Sequence, residues 1–297
     1  MLTRFRMKTL EQLFHIIESF TWEDMPLKDP ETGELTMAGW IPRLETIIKK
    51  CMPVSLTIHF IQTGVRFLTT SNVIYDTHYP FDITVTPVYE IILMTQLFAM
   101  ARLTILFYGP LYLYITLICV ACTQIQKVKS SLFEIKQKHS KALEMSPDYD
   151  KKFDEEEICI IQNKLNSIVR LHQQVVSYVI TLEDVMTMLL GGVLFFLLLT
   201  QCTAAFAAVL NLEKINDLSR VILVYVAATI LASIYCSFGT TLTEEYESVK
   251  NAAWNCDWVG TPVSFQKCIS LIISVANQGF TLTAAKFTPV CNVTLMN

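Results

Sequence analysis

Cysteine and histidine are the side chains in this sequence that could bind a metal or carry out redox chemistry. Cys119 and Cys122 have the C-x-x-C spacing of redox and zinc sites. They lie, however, in a stretch without charged residues, 103–126, where cysteine behaves as a small apolar side chain, so we expect them to pack. The five histidines are isolated from one another, and none is spaced as a metal pair. The sequence therefore predicts no metal site and no cofactor.

The motifs that mark common enzyme classes are not found. The sequence contains no phosphate-binding loop, dinucleotide fingerprint, zinc-protease motif or nucleophile elbow. Arg66 and Arg102 interrupt apolar stretches, and ionisable groups inside a membrane span are candidates for function. We expect Arg66 to lie near an interface and snorkel, and leave Arg102 open between packing and function. The sequence predicts a protein that is not an enzyme.

The apolar residues are gathered into stretches long enough to cross a membrane. The 297 residues are 52% hydrophobic and 17% charged, whereas soluble domains average about 25% charged residues. Residues 103–126, 185–212 and 221–243 contain no charged residue, and a spanning helix needs about 20 apolar residues. Residues 51–73 form a weaker fourth span, and Cys268–Ala285 is a borderline fifth that we expect to be a protein-packed helix. The predicted fold class is all-α, a polytopic membrane helical bundle.

The basic residues predict the orientation of these spans. Residues 1–50 contain seven lysines and arginines and residues 126–175 contain nine, whereas residues 71–90 contain none. The positive-inside rule therefore places the N-terminus, the 126–175 segment and the region after Glu244 in the cytoplasm. The net charge of −4, without a polybasic face, excludes a nucleic-acid partner.

The 126–175 segment has helical periodicity from Lys127 to Leu143 and again from Phe153 to Val179. Ser146, Pro147 and Asp148 separate the two stretches. We therefore expect membrane helices that extend into the cytoplasm.

Four stretches resemble the insect odorant receptor family, in that family's order. They are Tyr79–Asp82 with Thr86–Glu90 and Gln96, His172–Gln174 with Tyr178 and Leu182–Asp184, Tyr235–Gly239 through Ala252–Trp254 to Cys256–Trp258, and Leu282–Phe287. Each stretch is short, but together they are distributed over most of the chain, between residues 79 and 287. The family's inverted topology, with the N-terminus in the cytoplasm, agrees with the distribution of basic residues.

The resemblance implies a division of the chain. It comprises a cytoplasmic loop and approach helix (1–50), span 3 (51–73), an extracellular loop (74–88), span 4 (89–125), a cytoplasmic helical loop (126–177), span 5 (178–212), an extracellular loop (213–218), span 6 (219–243), a cytoplasmic anchor with the first half of span 7 (244–285) and the start of the pore helix (286–297). About 11 residues after Lys286 are too few to cross about 30 Å at 1.5 Å per residue. We therefore expect a fragment that lacks two spans and most of the last.

The function that the resemblance implies is an odorant-gated, non-selective cation channel. Its partners would be a shared olfactory co-receptor in a heterotetramer, a volatile small-molecule odorant and the lipid bilayer. It would lie in the plasma membrane of olfactory sensory neurons. Two alternatives stay open: a G-protein-coupled-receptor-like or gustatory-type chemoreceptor, and a small membrane transporter. A G-protein-coupled receptor would have its N-terminus outside, and a transporter would show internal repeats, which are not found.

The topology also suggests residues for two sites. An odorant pocket should be apolar with a few polar groups, and its candidates near the outer ends of the spans are His59, Gln62, Thr63, Met94, Phe98, Tyr225 and Thr229. The resemblance implies that subunits meet in the cytoplasmic anchor, where the candidates are Leu242, Trp254, Trp258, Leu271 and Ile272. Trp254 and Trp258 are four residues apart, so we expect them to share a helix face.

Overall fold

The computed structural model describes residues 2–20, 86–144, 155–210, 215–256 and 261–296, with Pro80, Trp258 and short groups of positions between 33 and 64. Among these residues the elements, in chain order, are α1 (Leu2–Ser19), α2 (Val88–Glu144), α3 (Glu155–Leu210), α4 (Ile215–Trp254), α5 (Val263–Ala276), β1 (Thr283–Ala284), β2 (Thr288–Pro289) and α6 (Asn292–Met296). Two strands of two residues each form one antiparallel hairpin. The all-α prediction is confirmed.

Three of the described helices are long and apolar enough to cross a bilayer. The segments with this character are Tyr108–Ile135, Cys159–Leu210 and Val221–Trp254. At about 1.5 Å per residue, α3 with its 56 residues is about 84 Å long, far more than the 30 Å hydrocarbon core. Each long helix therefore continues well beyond the membrane, as the charged residues in its sequence require.

The predicted spans 89–125, 178–212 and 219–243 fall largely within α2, α3 and α4. Most of the predicted span 51–73 lies outside the described residues, and the positions described within it are helical. The break predicted at Ser146, Pro147 and Asp148 lies outside the described residues, between α2, which is described to Glu144, and α3, which is described from Glu155.

The chain divides into two compact units, one formed by Met1–Gly39 with Leu117–Asn297 and one formed by Trp40–Thr116. In the first unit, α1, α4, α5 and β1 pack against α3. The buried side chains of α3 recur every three or four residues and so share one side of the helix: Leu165, Ile168, His172, Val175, Val179, Leu182, Met186 and Leu190. This apolar stripe is the core of the first unit.

Tyr178 connects three elements of this core. Its fully buried hydroxyl donates a hydrogen bond to the Leu117 carbonyl of α2 at 2.9 Å. Its ring meets the ring of Phe20, after α1, edge to face with centroids 5.6 Å apart. Because a buried phenol needs a hydrogen-bond partner, this contact sets the position of α2 along α3.

The hairpin between α5 and α6 was not predicted from the sequence. Thr283 pairs with Pro289 and Ala284 with Thr288, and Phe287 N donates to Ala284 O at 3.0 Å. Its two central residues, Ala285 and Lys286, have φ of 52° and 63°. This left-handed backbone normally favours glycine, asparagine or aspartate, so the turn must be held by contacts outside itself.

Candidate functional site

The predicted odorant-pocket residues fall into three groups. His59, Gln62 and Thr63 lie outside the described residues. Met94 and Phe98 lie one turn apart on α2 in the second unit, and both side chains are exposed. The Arg102 guanidinium lies 5.9 Å from the centroid of the Phe98 ring, a cation–π distance. Arg102 therefore contacts one of the predicted pocket residues.

Tyr225 and Thr229 lie one turn apart on α4 in the first unit. Thr229 Oγ1 donates to the Tyr225 carbonyl at 2.9 Å and accepts a hydrogen bond from Gln201 Nε2 of α3 at 3.1 Å. A polar side-chain pair thus joins α3 and α4 inside their apolar segments. The structure brings Gln201 and Thr229 together, and Tyr225 lies one helical turn from Thr229.

Gln201 was not proposed as a site residue from the sequence, although its polar side chain in an apolar stretch is a signal of function. It is an amide side chain within the charge-free stretch 185–212, and polar side chains there normally face protein rather than lipid. Its partner could not be chosen from the sequence, because several hydroxyl residues lie in the neighbouring spans. The packing of α3 against α4 pairs Gln201 with Thr229.

The predicted subunit-anchor residues divide by exposure. Leu242 and Ile272 are fully buried within the chain's own packing of α4 and α5. Trp254 is 62% exposed, and Leu271 is also exposed. The rings of Trp254 and Trp258 meet edge to face with centroids 5.7 Å apart, although α4 ends at Trp254. The prediction that the two tryptophans share a helix face is wrong, because Trp258 lies beyond the end of α4, although their rings are in contact. Their role between subunits stays a prediction.

A polar junction joins α2 and α4 at the predicted cytoplasmic level. Gln126 Nε2 donates to Glu245 Oε1 at 2.7 Å, and Lys129 Nζ lies 3.1 Å from Glu245 Oε2. Gln126 Oε1 accepts the backbone N–H of Met37 at 3.0 Å. Both oxygens of this partly buried carboxylate are therefore paired, which offsets the cost of its partial burial.

A second polar cluster lies where the hairpin meets α3. Thr283 Oγ1 donates to Glu183 Oε1 at 2.6 Å, and Lys286 Nζ lies 2.5 Å from Glu183 Oε2 and 3.3 Å from Asp184 Oδ1. Hydrogen bonding to Glu183, with a smaller contribution from Asp184, raises the pKa of Lys286 above its usual value. Lys286 therefore stays charged at physiological pH and holds the hairpin by a charge-assisted contact.

The polar contacts described above join elements of the chain to one another. No group of three or more histidine, cysteine or acidic side chains able to hold a metal occurs in the part of the chain that the structure describes. Cys119 and Cys122 are buried with free thiols, which confirms that they pack.

Comparison with known proteins identifies the family. A model of the 7tm odorant receptor family matches residues 1–297. The insect olfactory receptor OR5 from Machilis hrabei shares the fold, with a TM-score of 0.59 and 18% identity over 97% of this chain and 70% of that chain. The structure of the same receptor in complex with eugenol has a TM-score of 0.51 and 16% identity over the same shares of the two chains. No curated protein sequence matches the chain. The chain belongs to the 7tm odorant receptor family, a family of multi-pass membrane receptors and not of enzymes, as its sequence motifs predicted.

Proposed function

We propose that this odorant receptor is a subunit of an odorant-gated, non-selective cation channel that works with a shared co-receptor. Its place would be the plasma membrane of olfactory sensory neurons. The observation that carries the proposal is the match of the odorant receptor family over residues 1–297. The solved complex of Machilis hrabei OR5 with eugenol supports a small volatile molecule as the ligand.

The proposed odorant site includes the junction of α3 and α4 around Tyr225. A site for small, mostly apolar ligands needs aromatic surface and a few polar groups that orient the ligand. Tyr225 supplies the ring, and the Gln201–Thr229 pair supplies amide and hydroxyl groups one turn away along α4. Ala228 and Ala232 are buried three and seven residues further along, so Tyr225 borders the packed side of α4.

The remaining candidates belong to the other unit, Trp40–Thr116, and are proposed separately as odorant contacts. Met94 and Phe98 offer soft, polarizable contact surface one turn apart. His59, Gln62 and Thr63 keep the role that the sequence suggested. Together they would give an apolar pocket with few directional contacts, which suits ligands that differ in shape.

The proposed contact between subunits lies at the end of α4. Trp254 is exposed and its ring contacts that of half-buried Trp258, and buried tryptophans are common energetic centres of interfaces. Leu271 adds exposed apolar surface on α5. Leu242 and Ile272 would act from within the chain by supporting this surface. We expect a heterotetramer with the co-receptor, formed mainly through this region.

The proposed topology places the N-terminus in the cytoplasm and residues 74–88 outside. Epitope tags at Met1 and within 74–88 test it in intact cells. Antibody should reach only the tag in 74–88 before permeabilisation. Staining of the Met1 tag on intact cells would instead favour a G-protein-coupled receptor and would contradict the proposal.

The odorant site is tested by Tyr225→Ala in the receptor expressed with a co-receptor. Loss of an aromatic contact of about 1.4 kcal/mol should shift half-maximal odorant concentrations about tenfold for some odorants of a panel. The matched control is Leu223→Ala, because Leu223 is 47% exposed and Tyr225 44% exposed but Leu223 lies on the opposite side of α4. Surface expression should be unchanged for both. Identical dose–response curves for Tyr225→Ala and the unchanged receptor would contradict the assignment.

A further inference from the structure

The hairpin at residues 283–289 is attached to α3 through its backbone as well as through Glu183. Ala285 N donates to the Thr187 carbonyl at 2.7 Å, and Lys286 N donates to Thr187 Oγ1 at 3.1 Å. Residues of one helical turn of α3 therefore provide hydrogen-bond partners for several groups of the hairpin. Thr187 accepts hydrogen bonds from the two backbone amides, and Glu183 pairs with two side chains. The Glu183 side chain is only 16% exposed, so its contacts are partly shielded from water, which strengthens them relative to surface pairs.

The far end of the hairpin is attached to a different helix. Asn292 N donates to Thr240 Oγ1 of α4 at 2.9 Å, and Ser237 Oγ donates to Asn292 Oδ1 at 3.3 Å. The two ends are tied together by the hydrogen bond from Val290 N to Leu282 O at 2.8 Å, and both of these side chains are buried. The segment 282–292 is therefore a bridge from α3 to α4.

The conformation of the turn depends on its contact with α3. Ala285 and Lys286 both have left-handed backbone angles, a conformation that costs a residue with a Cβ free energy and persists only where the surroundings impose it. Thr187 accepts hydrogen bonds from the backbone amides of these same two residues. Once detached, the turn would relax, so attachment and the left-handed geometry should be gained or lost together.

We propose that segment 282–292 is a clasp that couples α3 to α4, with Glu183 as the residue that positions it. The clasp engages as one unit, so a change at Glu183 is transmitted to the contact of Asn292 with α4. The reverse holds for a change at Thr240, because coupling between two sites is reciprocal. The proposal requires neither odorant nor ion conduction and stands apart from the proposed channel function.

Hydrogen–deuterium exchange of the full chain purified in detergent tests the clasp. Glu183→Gln removes the charge that holds Lys286, and Thr240→Val removes the acceptor for Asn292 N. Glu183→Gln should speed exchange in peptides covering 283–287 and also in those covering 290–295, by about tenfold, since a charge-assisted hydrogen bond is worth at least that factor. Thr240→Val should speed exchange in both peptides by a similar factor.

Two matched controls separate transmission from general loosening. Thr241→Val removes a hydroxyl that bonds its own helix as Thr240 does but that has no contact with the hairpin among the hydrogen bonds of the described residues. Glu247→Gln neutralises an exposed glutamate of α4. Neither control should alter exchange in 283–295.

Two results would contradict the proposal that segment 282–292 couples α3 to α4. One is faster exchange after Glu183→Gln that stops at residue 287 and leaves 290–295 unchanged. The other is a Thr240→Val variant in which residues 283–287 keep their protection. If Glu183→Gln unfolds the chain, Thr283→Val replaces it. This substitution removes the hydrogen bonds of the Thr283 hydroxyl with Glu183 and with Thr187 Oγ1 with little change of shape, and should give the same two-peptide pattern with a smaller factor.

Discussion

Replacement of Gly191 by alanine should separate the hairpin from α3. A Cβ at Gly191 would lie 2.6 Å from Ala285 Cβ and 3.0 Å from Ala285 N, where ordinary contacts begin near 3.4 Å. The hairpin would therefore have to withdraw by about 0.8 Å. That movement would stretch the hydrogen bond from Ala285 N to Thr187 O, now 2.7 Å, to about 3.5 Å, beyond a normal bond length.

Gly192→Ala is a control that isolates this contact. Gly192 is the next residue of the same helix, and a Cβ there would meet no atom within 4 Å. Both substitutions gain the same helix propensity, about 1 kcal/mol, which cancels in the comparison. Loss of one hydrogen bond and overpacking together should make attachment of the hairpin weaker in Gly191→Ala by about 2 kcal/mol.

Amide exchange measures this difference directly. A change of about 2 kcal/mol corresponds to about 30-fold faster exchange of the Ala285 amide in Gly191→Ala than in Gly192→Ala. Exchange in the centre of α4 should be the same in both variants. Equal protection of Ala285 in the two variants would refute the close approach of helix and hairpin.

Three further predictions concern other contacts of the first unit. Tyr178→Phe removes the buried hydrogen bond to the Leu117 carbonyl and should lower the stability of the detergent-solubilised chain to heat by about 1 kcal/mol; an unchanged unfolding temperature would show that the bond contributes nothing. Gln124 is fully buried and its amide has no hydrogen-bond partner among the described residues, so Gln124→Leu should raise stability by about 1 kcal/mol, and a decrease would reveal a bound partner such as an internal water. Hydrogen bonding to Thr294 lowers the pKa of the Cys291 thiol, which raises its reactive thiolate fraction at pH 7. Thr294→Val should therefore slow alkylation of Cys291 by iodoacetamide at pH 7 and leave the rate at pH 11 unchanged. If the variant and the unchanged protein react at the same rate at pH 7 as well as at pH 11, the assigned cause is contradicted.

The sequence was sufficient for the fold class and for the main helices. Charge-free stretches within 103–126, 185–212 and 221–243 correspond to the three described helices that can cross a bilayer. The prediction of these helices is correct because each membrane-spanning segment must by itself be uncharged and satisfy its own backbone hydrogen bonds.

The candidate sites were only partly accessible from the sequence. The side of a helix that faces protein rather than lipid is weakly encoded when both surroundings are apolar. The sequence therefore suggested Tyr225 and Thr229 but not Gln201, the hydrogen-bond partner of Thr229. It also could not show that Leu242 and Ile272 are buried within the chain while Trp254 is exposed, because each is an apolar residue in a helical pattern.

By itself, the sequence determined that this is a helical membrane protein of the odorant receptor family, because span length, charge distribution and short motifs are properties of neighbouring residues. Only the tertiary structure decided the hairpin and its attachment. Nothing in Ala285–Lys286 predicts a left-handed turn. The turn exists because Thr187 and Glu183, about 100 residues earlier in the chain, offer acceptors and a carboxylate there, and because Gly191 leaves room for it. Contacts across such separations depend on how helices pack, which local patterns do not contain.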